Sequence, residues 1–421
     1  MHKPAAAPCI AVMNCGSSSI KAAVFEIGGG RLPRQSLWRG ELRGLNDAQA
    51  RLTMTGQAEE ALALPSGPER YPAAIATALS ALDDGLGGRQ LLAVAHRVVH
   101  GGAQHSAPLR LDRAALAELR ALTPLAPLHQ PFALDAAERM MARRPDLPQI
   151  ACFDTAFHHG LPMTEQRLAL PREWHQRGLR RYGFHGLSYE YQSIALAERH
   201  GWLAHGRCIV AHLGSGASLC AMHEGRSVAT TMGFSALDGL MMGTRCGSLD
   251  PGVLLYLMQQ QGLDAAALSE LLYHRSGLLG VSGRSADPTV LLAHEADDAD
   301  AAAALALFVH RAVREIGALT AVLGGLDLLV FTGGIGEHLS EIRRRIAAPL
   351  GYLGVELDEQ ANLAHATTIS LPSSPVRVAV EPTNEEWMAA SQLLQMPGIL
   401  HPGQNSGLAA AARLDESRPS V

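Results

Sequence analysis

Short apolar runs alternate along the chain with turns rich in glycine and serine. Ile10 to Asn14 and Ile20 to Phe25 are β-prone runs on either side of a polar turn, and this pattern predicts a β-hairpin. Cys208 to His212 and Leu219 to Met222 repeat the pattern around a second turn. The recurrence indicates either two related halves of the chain or chance repetition of a common turn type.

A third glycine-rich turn lies between elements of different kinds. Asp327 to Phe331 is a predicted buried strand, Thr332 to Glu337 a turn, and Leu339 to Ala348 a helix. A strand, a glycine turn and a helix N-terminus in this order are typical of anion or nucleotide sites, because free N–H groups face the ligand. A packing turn of an α/β sheet would give the same pattern.

The remaining pattern predicts an α/β protein of two domains. Asp297 to Leu323 has the apolar spacing of an amphipathic helix packed on a sheet. Arg31 to Glu69 is irregular and reads as a variable insertion, and the residues after Gly398 read as a loose tail. Strands that alternate with helices indicate the α/β class, and a cleft between domains is the expected ligand site.

Composition narrows the functional classes. The chain of 421 residues is 47% apolar and 18% charged, as in soluble globular proteins, and its net charge of −5 argues against a broad nucleic-acid surface. No apolar run approaches the roughly 20 residues needed to cross a bilayer, and the first one is too short for a signal peptide. The six cysteines lack metal-ligand spacing, so we expect reduced thiols in a cytoplasmic protein.

Lysine is nearly absent, which excludes one common nucleotide motif. Of the 35 basic residues only Lys3 and Lys21 are lysines, and neither lies in a GK[ST] step, so the chain has no Walker A motif. It also has no HRD loop and no G-x-G-x-x-G. Any nucleotide site must therefore use another device.

Six short segments concentrate histidine, arginine, acidic residues and glycine: 95–102, 126–131, 153–158, 182–186, 241–247 and 382–387. Each alone is weak evidence, since a loop histidine is usually solvated and an acidic helix start is explained by capping. Together with three glycine-rich turns they fit phosphoryl transfer, in which positioning and charge neutralisation do most of the work.

These segments resemble the acetate kinase family of the actin-like, sugar-kinase-like and Hsp70-like ATPase superfamily. The matching motifs are, in order, N-x-G-S-S-S-x-K (14–21), HRVVHGG (96–102), APLH (126–129), FDTAFH (153–158), RRYGFHG (180–186), HLGSGAS (212–218), GLMMGTR (239–245), TGGIGE (332–337) and TNEE (383–386). The resemblance implies two duplicated actin-like (ribonuclease H-like, βββαβαβα) domains around a central cleft, and a homodimer. On this pattern we expect an N-terminal domain over 1–155 joined by a C-terminal helix 386–397, a nucleotide-binding domain over 156–385, and a tail over 398–421.

The resemblance also implies an activity, the transfer of the γ-phosphoryl group of Mg²⁺–ATP to acetate or a near neighbour such as propionate. Asn14 and Glu385 would hold Mg²⁺, directly or through water, with Mn²⁺ as an alternative metal. The other roles carried over are phosphate contacts (Ser17, Ser19, Lys21), substrate carboxylate binding (Arg97), contact with the transferring phosphoryl group (His185, Arg245, assisted by His129) and a catalytic carboxylate (Asp154). A carboxylate substrate, with a pKa of about 4–5, needs no general base, so we expect Asp154 to orient metal-bound water or Arg97.

The implied ATP site and acyl pocket depart from the family pattern in places. The ATP site would comprise His212, Leu213, Gly214, Ser215, Gly216, Asp287, Pro288, Thr289, Gly334, Ile335, Gly336, Glu337 and His338. Ser215, His338 and Thr289 replace the usual residues and put nucleotide preference in question, and Ser248 replaces a loop carboxylate after Arg245. The acyl pocket would be lined by Val99, Leu128, Phe184 and Ala236, with alanine where proline is usual, so we expect acetate and propionate both to react.

Two other readings stay open. A kinase for a longer acid, of butyrate kinase type, fits the motifs less well. A nucleotide-binding actin-like protein with little or no turnover is the alternative from a different class, and dependence of ATP consumption on added carboxylate would separate it from an enzyme. No sequence feature indicates a nucleic-acid or membrane partner.

Overall fold

The computed structural model describes residues 7–28 and 32–399. Its internal contacts divide the chain into two compact units. The first unit takes the described residues of Met1–Ala156 and Asn384–Val421, and the second unit is Phe157–Thr383. Residues near both ends of the chain therefore contribute to the first unit.

The first unit is built on one mixed sheet. Its eight strands are β1 (Cys9–Cys15), β2 (Ser19–Glu26), β3 (Trp38–Arg43), β4 (Ala50–Met54), β5 (Glu60–Leu62), β6 (Leu91–Val98), β7 (Leu109–Arg110) and β8 (Gln149–Phe153), in the order β5-β4-β3-β2-β1-β6-β8-β7. β1 is antiparallel to β2 and parallel to β6, which is parallel to β8. The central strands carry continuous apolar runs because both faces of the sheet are covered.

The second unit holds a five-stranded sheet. Its strands are β9 (Cys208–Leu213), β10 (Ala217–His223), β11 (Arg226–Thr230), β12 (Leu328–Thr332) and β13 (Arg377–Val380), in the order β11-β10-β9-β12-β13. β9 is antiparallel to β10 and parallel to β12, which is parallel to β13. This is the arrangement of β3-β2-β1-β6-β8 in the first unit. Both predicted hairpins are confirmed as β1–β2 and β9–β10, and the duplicated actin-like α/β fold is confirmed with them.

Helices cover the two sheets. Those of the first unit are α1 (Arg70–Gly85), α2 (Arg113–Ala121), α3 (Gln130–Arg143) and α15 (Glu385–Gln395). Those of the second are α4 (Met163–Gln166), α5 (Arg172–Gln176), α6 (Gly186–His200), α7 (Pro251–Gln261), α8 (Ala265–His274), α9 (Gly277–Ser282), α10 (Pro288–His294), α11 (Ala299–Leu323), α12 (Gly333–His338), α13 (Ser340–Ala347) and α14 (Glu359–Leu363). Short 3₁₀ turns occupy Gly67–Glu69, Thr123–Leu125, Ala156–His158, Gly201–His205 and Ala348–Leu353. Across the described ranges, no helix combines the length and apolarity that a membrane span requires.

The predicted amphipathic helix over 297–323 is confirmed as α11. It begins at Ala299, after the capping residue Asp298, and ends at Leu323, because Gly324 has a left-handed φ of 71°. Its buried face includes Leu305, Phe308 and Ile316. In the first unit, α15 packs on β1 and β6.

Two sequence predictions are wrong. The segment 31–69, expected to be irregular, contains β3, β4 and β5. Trp38, Gly40 and Leu42 of β3 face inwards in alternation, and backbone pairing to β2 extends the sheet in a way that local sequence does not reveal. The predicted turn 332–337 is mostly the short helix α12. The predicted domain boundaries remain predictions, and the predicted tail lies outside the described residues except for residues 398 and 399.

Candidate active site

The candidate residues form two clusters, one in each unit. In the first unit, Arg97 is the penultimate residue of β6, Asp154 follows β8, and Asn14 is the penultimate residue of β1. Because these parallel strands are neighbours, their carboxyl ends bring the three side chains together. Glu385, the first residue of α15, completes the group.

Arg97 is the centre of this first cluster. Its Nε and Nη2 donate to Asp154 Oδ1 and Oδ2 at 2.8 and 2.6 Å, and its Nη1 donates to Asn14 Oδ1 at 3.2 Å. Glu385 Oε2 lies 3.8 Å from Nε. Burial disfavours the cation, but Asp154 and Glu385 outweigh it and raise the pKa of the Arg97 guanidinium. The fork is therefore charged and fixed in direction by a bidentate carboxylate.

The atoms of this cluster that could coordinate a metal ion are oxygens, which is relevant to the Mg²⁺ ion implied by the sequence resemblance. An amide oxygen from Asn14 and carboxylate oxygens from Glu385 and Asp154 are hard ligands that suit Mg²⁺. No group of three or more His, Cys, Asp or Glu residues in the described ranges is arranged to hold a metal ion. The residues present fit a magnesium ion that keeps few protein ligands and fills its shell with water and phosphate.

Glu386 is a residue of this region that the sequence reasoning did not single out. Burial raises the pKa of its carboxyl, while Arg39, with Nη2 at 3.3 Å, lowers it and Glu385 raises it further. Asn384 caps α15 by accepting from the Trp387 N–H at 3.1 Å. The cap and the ion pair fix the start of the helix that carries Glu385.

The predicted phosphate contacts lie on the β1–β2 hairpin. Ser17 is in the turn, Ser19 begins β2, and the Gly16 N–H closes the turn by donating to the Ser19 carbonyl at 2.9 Å. Lys21 lies opposite Asn14 in the hairpin and its Nζ is 3.5 Å from Glu41 Oε1. The structure thus places the lysine across the hairpin from Asn14, the predicted metal ligand.

The two histidines of the HRVVHGG segment belong to the scaffold. His96 Nε2 is 2.7 Å from Gln149 Oε1, and His100 Nδ1 accepts from the Gly102 N–H at 2.8 Å. Burial lowers the pKa of each to about 4, so both rings are neutral near pH 7. His129 occupies the N-terminal boundary of α3, after half-buried Leu128. Val99 follows β6 and is buried.

The second cluster surrounds the turn 214–216 between β9 and β10. A Cβ built on Gly216 would lie 3.2 Å from His185 Nε2 and 3.7 Å from Arg245 Nη1. A Cβ on Gly214 would lie 4.0 Å from His212 Nε2. A side chain at position 216 would crowd the His185 imidazole, so glycine lets the turn lie close to nitrogen atoms of His185, Arg245 and His212. This grouping of nitrogen atoms is suited to an anion.

Backbone geometry places His185 at this point. The residue precedes α6 and has a left-handed backbone, with φ of 59°, which is uncommon outside glycine. Its ring stacks on that of His212 with centroids 4.3 Å apart. Phe184, beside it in the chain, is buried. Such strain is often held at functional sites.

Arg245 is oriented by the loop 236–248. Its Nη1 donates to the carbonyl of Ala236 at 2.9 Å, which links the catalytic candidate to a predicted acyl-pocket residue. Ser248, whose effect the sequence left unexplained, donates to Asp238 at 2.7 Å and accepts from the Gly239 N–H at 3.1 Å. The serine therefore closes this loop by linking Asp238 to the backbone of Gly239.

The segment 332–337, which the sequence predicts as a turn, is mostly the helix α12. The side chain of Glu337, within this helix, caps its N-terminus. Glu337 Oε1 accepts from the Gly333 N–H at 2.9 Å and from the Thr383 N–H at 3.0 Å. At the other end, the fully buried Arg343 donates to the carbonyls of Gly336 and Glu337. α12 contains the predicted residues Gly334, Ile335, Gly336, Glu337 and His338.

The predicted residues Asp287, Pro288 and Thr289 begin α10. Asp287 caps this helix by accepting from the Thr289 N–H at 2.8 Å, and Pro288 occupies its first turn. Leu213 ends β9, and the Ser215 carbonyl accepts from the Gly243 N–H at 3.4 Å. The turn 214–216 is thereby joined to the loop that carries Arg245.

The chain matches one characterised family over most of its length. The model described as the acetokinase family covers residues 9–391. An acetate kinase of Rhodopseudomonas palustris is 49% identical over 390 residues, which are 91% of this chain and 97% of that protein. The crystal structure of Porphyromonas gingivalis acetate kinase has a TM-score of 0.80 and 36% identity, and that of a Francisella tularensis propionate kinase has 0.82 and 34%. Each superposition covers 91% of this chain and 98% of the other.

Proposed function

The chain belongs to the acetokinase family, and we propose that it transfers the γ-phosphoryl group of ATP to acetate, and also to propionate, to give ADP and the acyl phosphate. The observation that carries the proposal is the convergence of His185 Nε2 and Arg245 Nη1 on Gly216. An arginine and two imidazoles around a glycine turn can stabilise the negative charge on the phosphoryl group in the transition state of its transfer.

The chemistry of the proposed reaction assigns a role to each of these charged residues. The substrate carboxylate is ionised at neutral pH and is itself the nucleophile, so the protein need not remove a proton. Arg97 binds that carboxylate, and Asp154 holds the guanidinium in the required direction. Arg245 and His185 offset the repulsion between two anions as the bond to the acceptor oxygen forms and the bond to the β-phosphate bridging oxygen breaks in line.

Magnesium is the metal we propose for this site. Asn14 and Glu385 would hold it, and the ion, when bound, supplies charge neutralisation on the phosphates. Ser17, Ser19 and Lys21 would contact phosphate oxygens, and α12 with the start of α10 would contact the nucleoside. We place the enzyme in the cytoplasm, in keeping with its six free cysteines.

A homodimer is the proposed assembly, and α7 is the surface we assign to it. None of the 11 residues of this helix is buried, and Leu255, Tyr256 and Met258 are 56%, 56% and 47% exposed. Exposed large apolar side chains on one helix are typical of association sites on proteins. The homodimer that the resemblance implies supports a second copy of the chain as the occupant.

The test is formation of acyl phosphate, trapped as the hydroxamate, with Mg²⁺–ATP and acetate, propionate or butyrate in parallel. We expect product from acetate and from propionate, with kcat/KM values within a thousandfold of each other, because one methylene changes binding by about 1–3 kcal/mol. No product with any acid, from folded protein that binds ATP, would support the nucleotide-binding alternative instead.

A further inference from the structure

Three histidines of the second unit are held in the same way, by a serine hydroxyl at Nδ1. His158 Nδ1 is 2.8 Å from Ser227 Oγ, His185 Nδ1 is 2.8 Å from Ser218 Oγ, and His212 Nδ1 is 2.9 Å from Ser188 Oγ. A serine can either donate to an imidazole nitrogen or accept from it. The direction of each bond therefore decides where the ring carries its proton.

His158 shows which direction the pattern takes. Its Nε2 lies 2.9 Å from the carbonyl oxygen of Phe184, an atom that can only accept, so Nε2 carries the proton. Burial lowers the pKa of His158 to about 4, so the ring is neutral and Nδ1 must accept from Ser227. The two ring hydrogen bonds of His158 go to Ser227 and Phe184 and not to the turn 214–216. His158 therefore serves as an internal reference for the tautomer of a serine-bound histidine.

Tyr189 imposes the same hydrogen-bond direction on His185, because it binds the serine that contacts the His185 ring. Tyr189 and Ser218 are both fully buried, and the tyrosine hydroxyl is 2.5 Å from Ser218 Oγ, its one hydrogen-bond partner among the described residues. Burial raises the pKa of Tyr189, so the phenol keeps its proton and must donate it to Ser218. Ser218 then donates its own proton to His185 Nδ1.

Counting donors shows why the reverse direction is disfavoured. The two hydroxyl protons have two acceptors, Ser218 Oγ and His185 Nδ1, and both protons are used in only one arrangement. A proton on Nδ1 would add a donor and leave one buried hydroxyl proton unmatched. An unmatched buried donor disfavours that state on the order of tenfold or more. The guanidinium of Arg245, close to the same glycine, also opposes a second positive charge on the ring.

We propose that Ser218, backed by Tyr189, is a positioning residue that fixes His185 as the neutral tautomer protonated on Nε2. The ring then carries an N–H donor, and not a cation, on the side that faces Gly216. The positive charge needed there comes from Arg245. His212 stacks on the His185 ring. Its own Nδ1 is bound by Ser188, which in turn accepts a hydrogen bond from Thr383 Oγ1 at 2.8 Å. The catalytic consequence rests on the proposed function, but the protonation state of the ring does not.

The test is ¹⁵N NMR of the full-length protein labelled at histidine, with the His185 signals assigned by the loss of peaks in His185→Gln. At pH 7 we expect two well-separated ring nitrogen shifts with the proton on Nε2. In Ser218→Ala this preference should be lost and kcat should fall tenfold or more, with the KM for ATP and for acetate changed less than threefold. Ser218→Thr restores a hydroxyl and should restore both readouts.

Ser227→Ala is the matched control, because it removes the same kind of buried serine bond from His158. It should leave the His185 signals and kcat unchanged. An imidazolium or an Nδ1–H tautomer at His185 in the unaltered protein would overturn the proposal, as would unchanged His185 shifts in Ser218→Ala. Absence of acyl phosphate formation would refute the proposed function alone, since the NMR result is read without turnover.

Discussion

Asp154 binds the guanidinium of Arg97 with both of its carboxylate oxygens, at 2.8 Å from Nε and 2.6 Å from Nη2. Asp154 is only 2% exposed, so water cannot take its place. This relationship supports the orienting role that we propose for the aspartate, since a carboxylate substrate would need no general base.

Asp154→Asn should therefore lower kcat on the order of a hundredfold, because an amide supplies only one acceptor and the Arg97 fork loses its fixed direction. Steady-state kinetics with acetate and ATP measure the effect. The control is Asp83→Asn, since Asp83 also binds two arginines, Arg143 and Arg144, elsewhere in the first unit. A kcat within threefold of the unaltered protein would contradict the assignment.

Arg245→Ala should lower kcat on the order of a hundredfold or more, because the guanidinium offsets charge on the transferring phosphoryl group. The comparison is Arg314→Ala, which removes a half-exposed arginine paired with Glu315 on α11. Rapid-quench measurement of acyl phosphate separates the chemical step from product release. An unchanged rate in Arg245→Ala would exclude this arginine from the reaction.

Glu337→Ala should raise the KM for ATP severalfold and destabilise the second unit by about 1–2 kcal/mol, because α12 loses its cap and its bond to Thr383. Glu337→Gln keeps an acceptor oxygen and should recover most of both effects. Asp264→Ala removes the cap of α8 and should lower stability without a change in the KM for ATP. Urea unfolding and initial rates measure the two quantities, and equal KM effects in the two alanine variants would refute the link to the nucleotide.

Leu255→Glu combined with Tyr256→Glu should convert the protein from dimer to monomer, because two charges would be buried on α7. Light scattering coupled to gel filtration reports the mass. Trp202→Glu, at an apolar side chain 78% exposed in the same unit, should leave the dimer intact. Dissociation by the control, or a dimer in the double variant, would show that α7 is not the contact.

Stability should fall as the pH drops from about 6.5 towards 4, because His96, His100 and His158 stay neutral in the folded protein with pKa values lowered to about 4 while the unfolded chain takes up protons. Each could cost about 3 kcal/mol over that range. His96→Gln keeps a donor for Gln149, so between pH 7 and pH 5 it should lose about 2 kcal/mol less in free energy of unfolding than the unaltered protein. Equal losses in the two proteins would show that His96 is not responsible.

The sequence predicted the elements whose signal is local. The two hairpins and α11 follow from apolar periodicity and caps, and Asn14, Arg97 and Asp154 could be expected together once their strand ends were recognised. β3 was missed because its pairing with β2 is not local. α12 was missed because its cap comes from Glu337 within the helix itself, whereas glycine-rich sequence favours a turn.

The supporting residues of the site were the hardest to predict. Tyr189 lies one helical turn after His185, a spacing that suggests contact between them, yet the serine that joins the two is on β10. Arg343 lies on α13, where the sequence suggests an exposed charge, but it is fully buried and donates to backbone carbonyl oxygens. Such roles depend on where distant segments meet, and a single sequence carries little of that information.

The helix that carries Glu385 joins a sheet whose strands are all made before residue 154, and this affects synthesis on the ribosome. While the chain grows, Arg97 and Asp154 can pair long before Asn384 and Glu385 leave the exit tunnel. A prematurely terminated product that lacks α15 would leave apolar surface of β1 and β6 uncovered. We expect such fragments to be recognised by chaperones and proteases, so that cells accumulate only chains in which the last residue of the charged cluster, Glu385, has been translated.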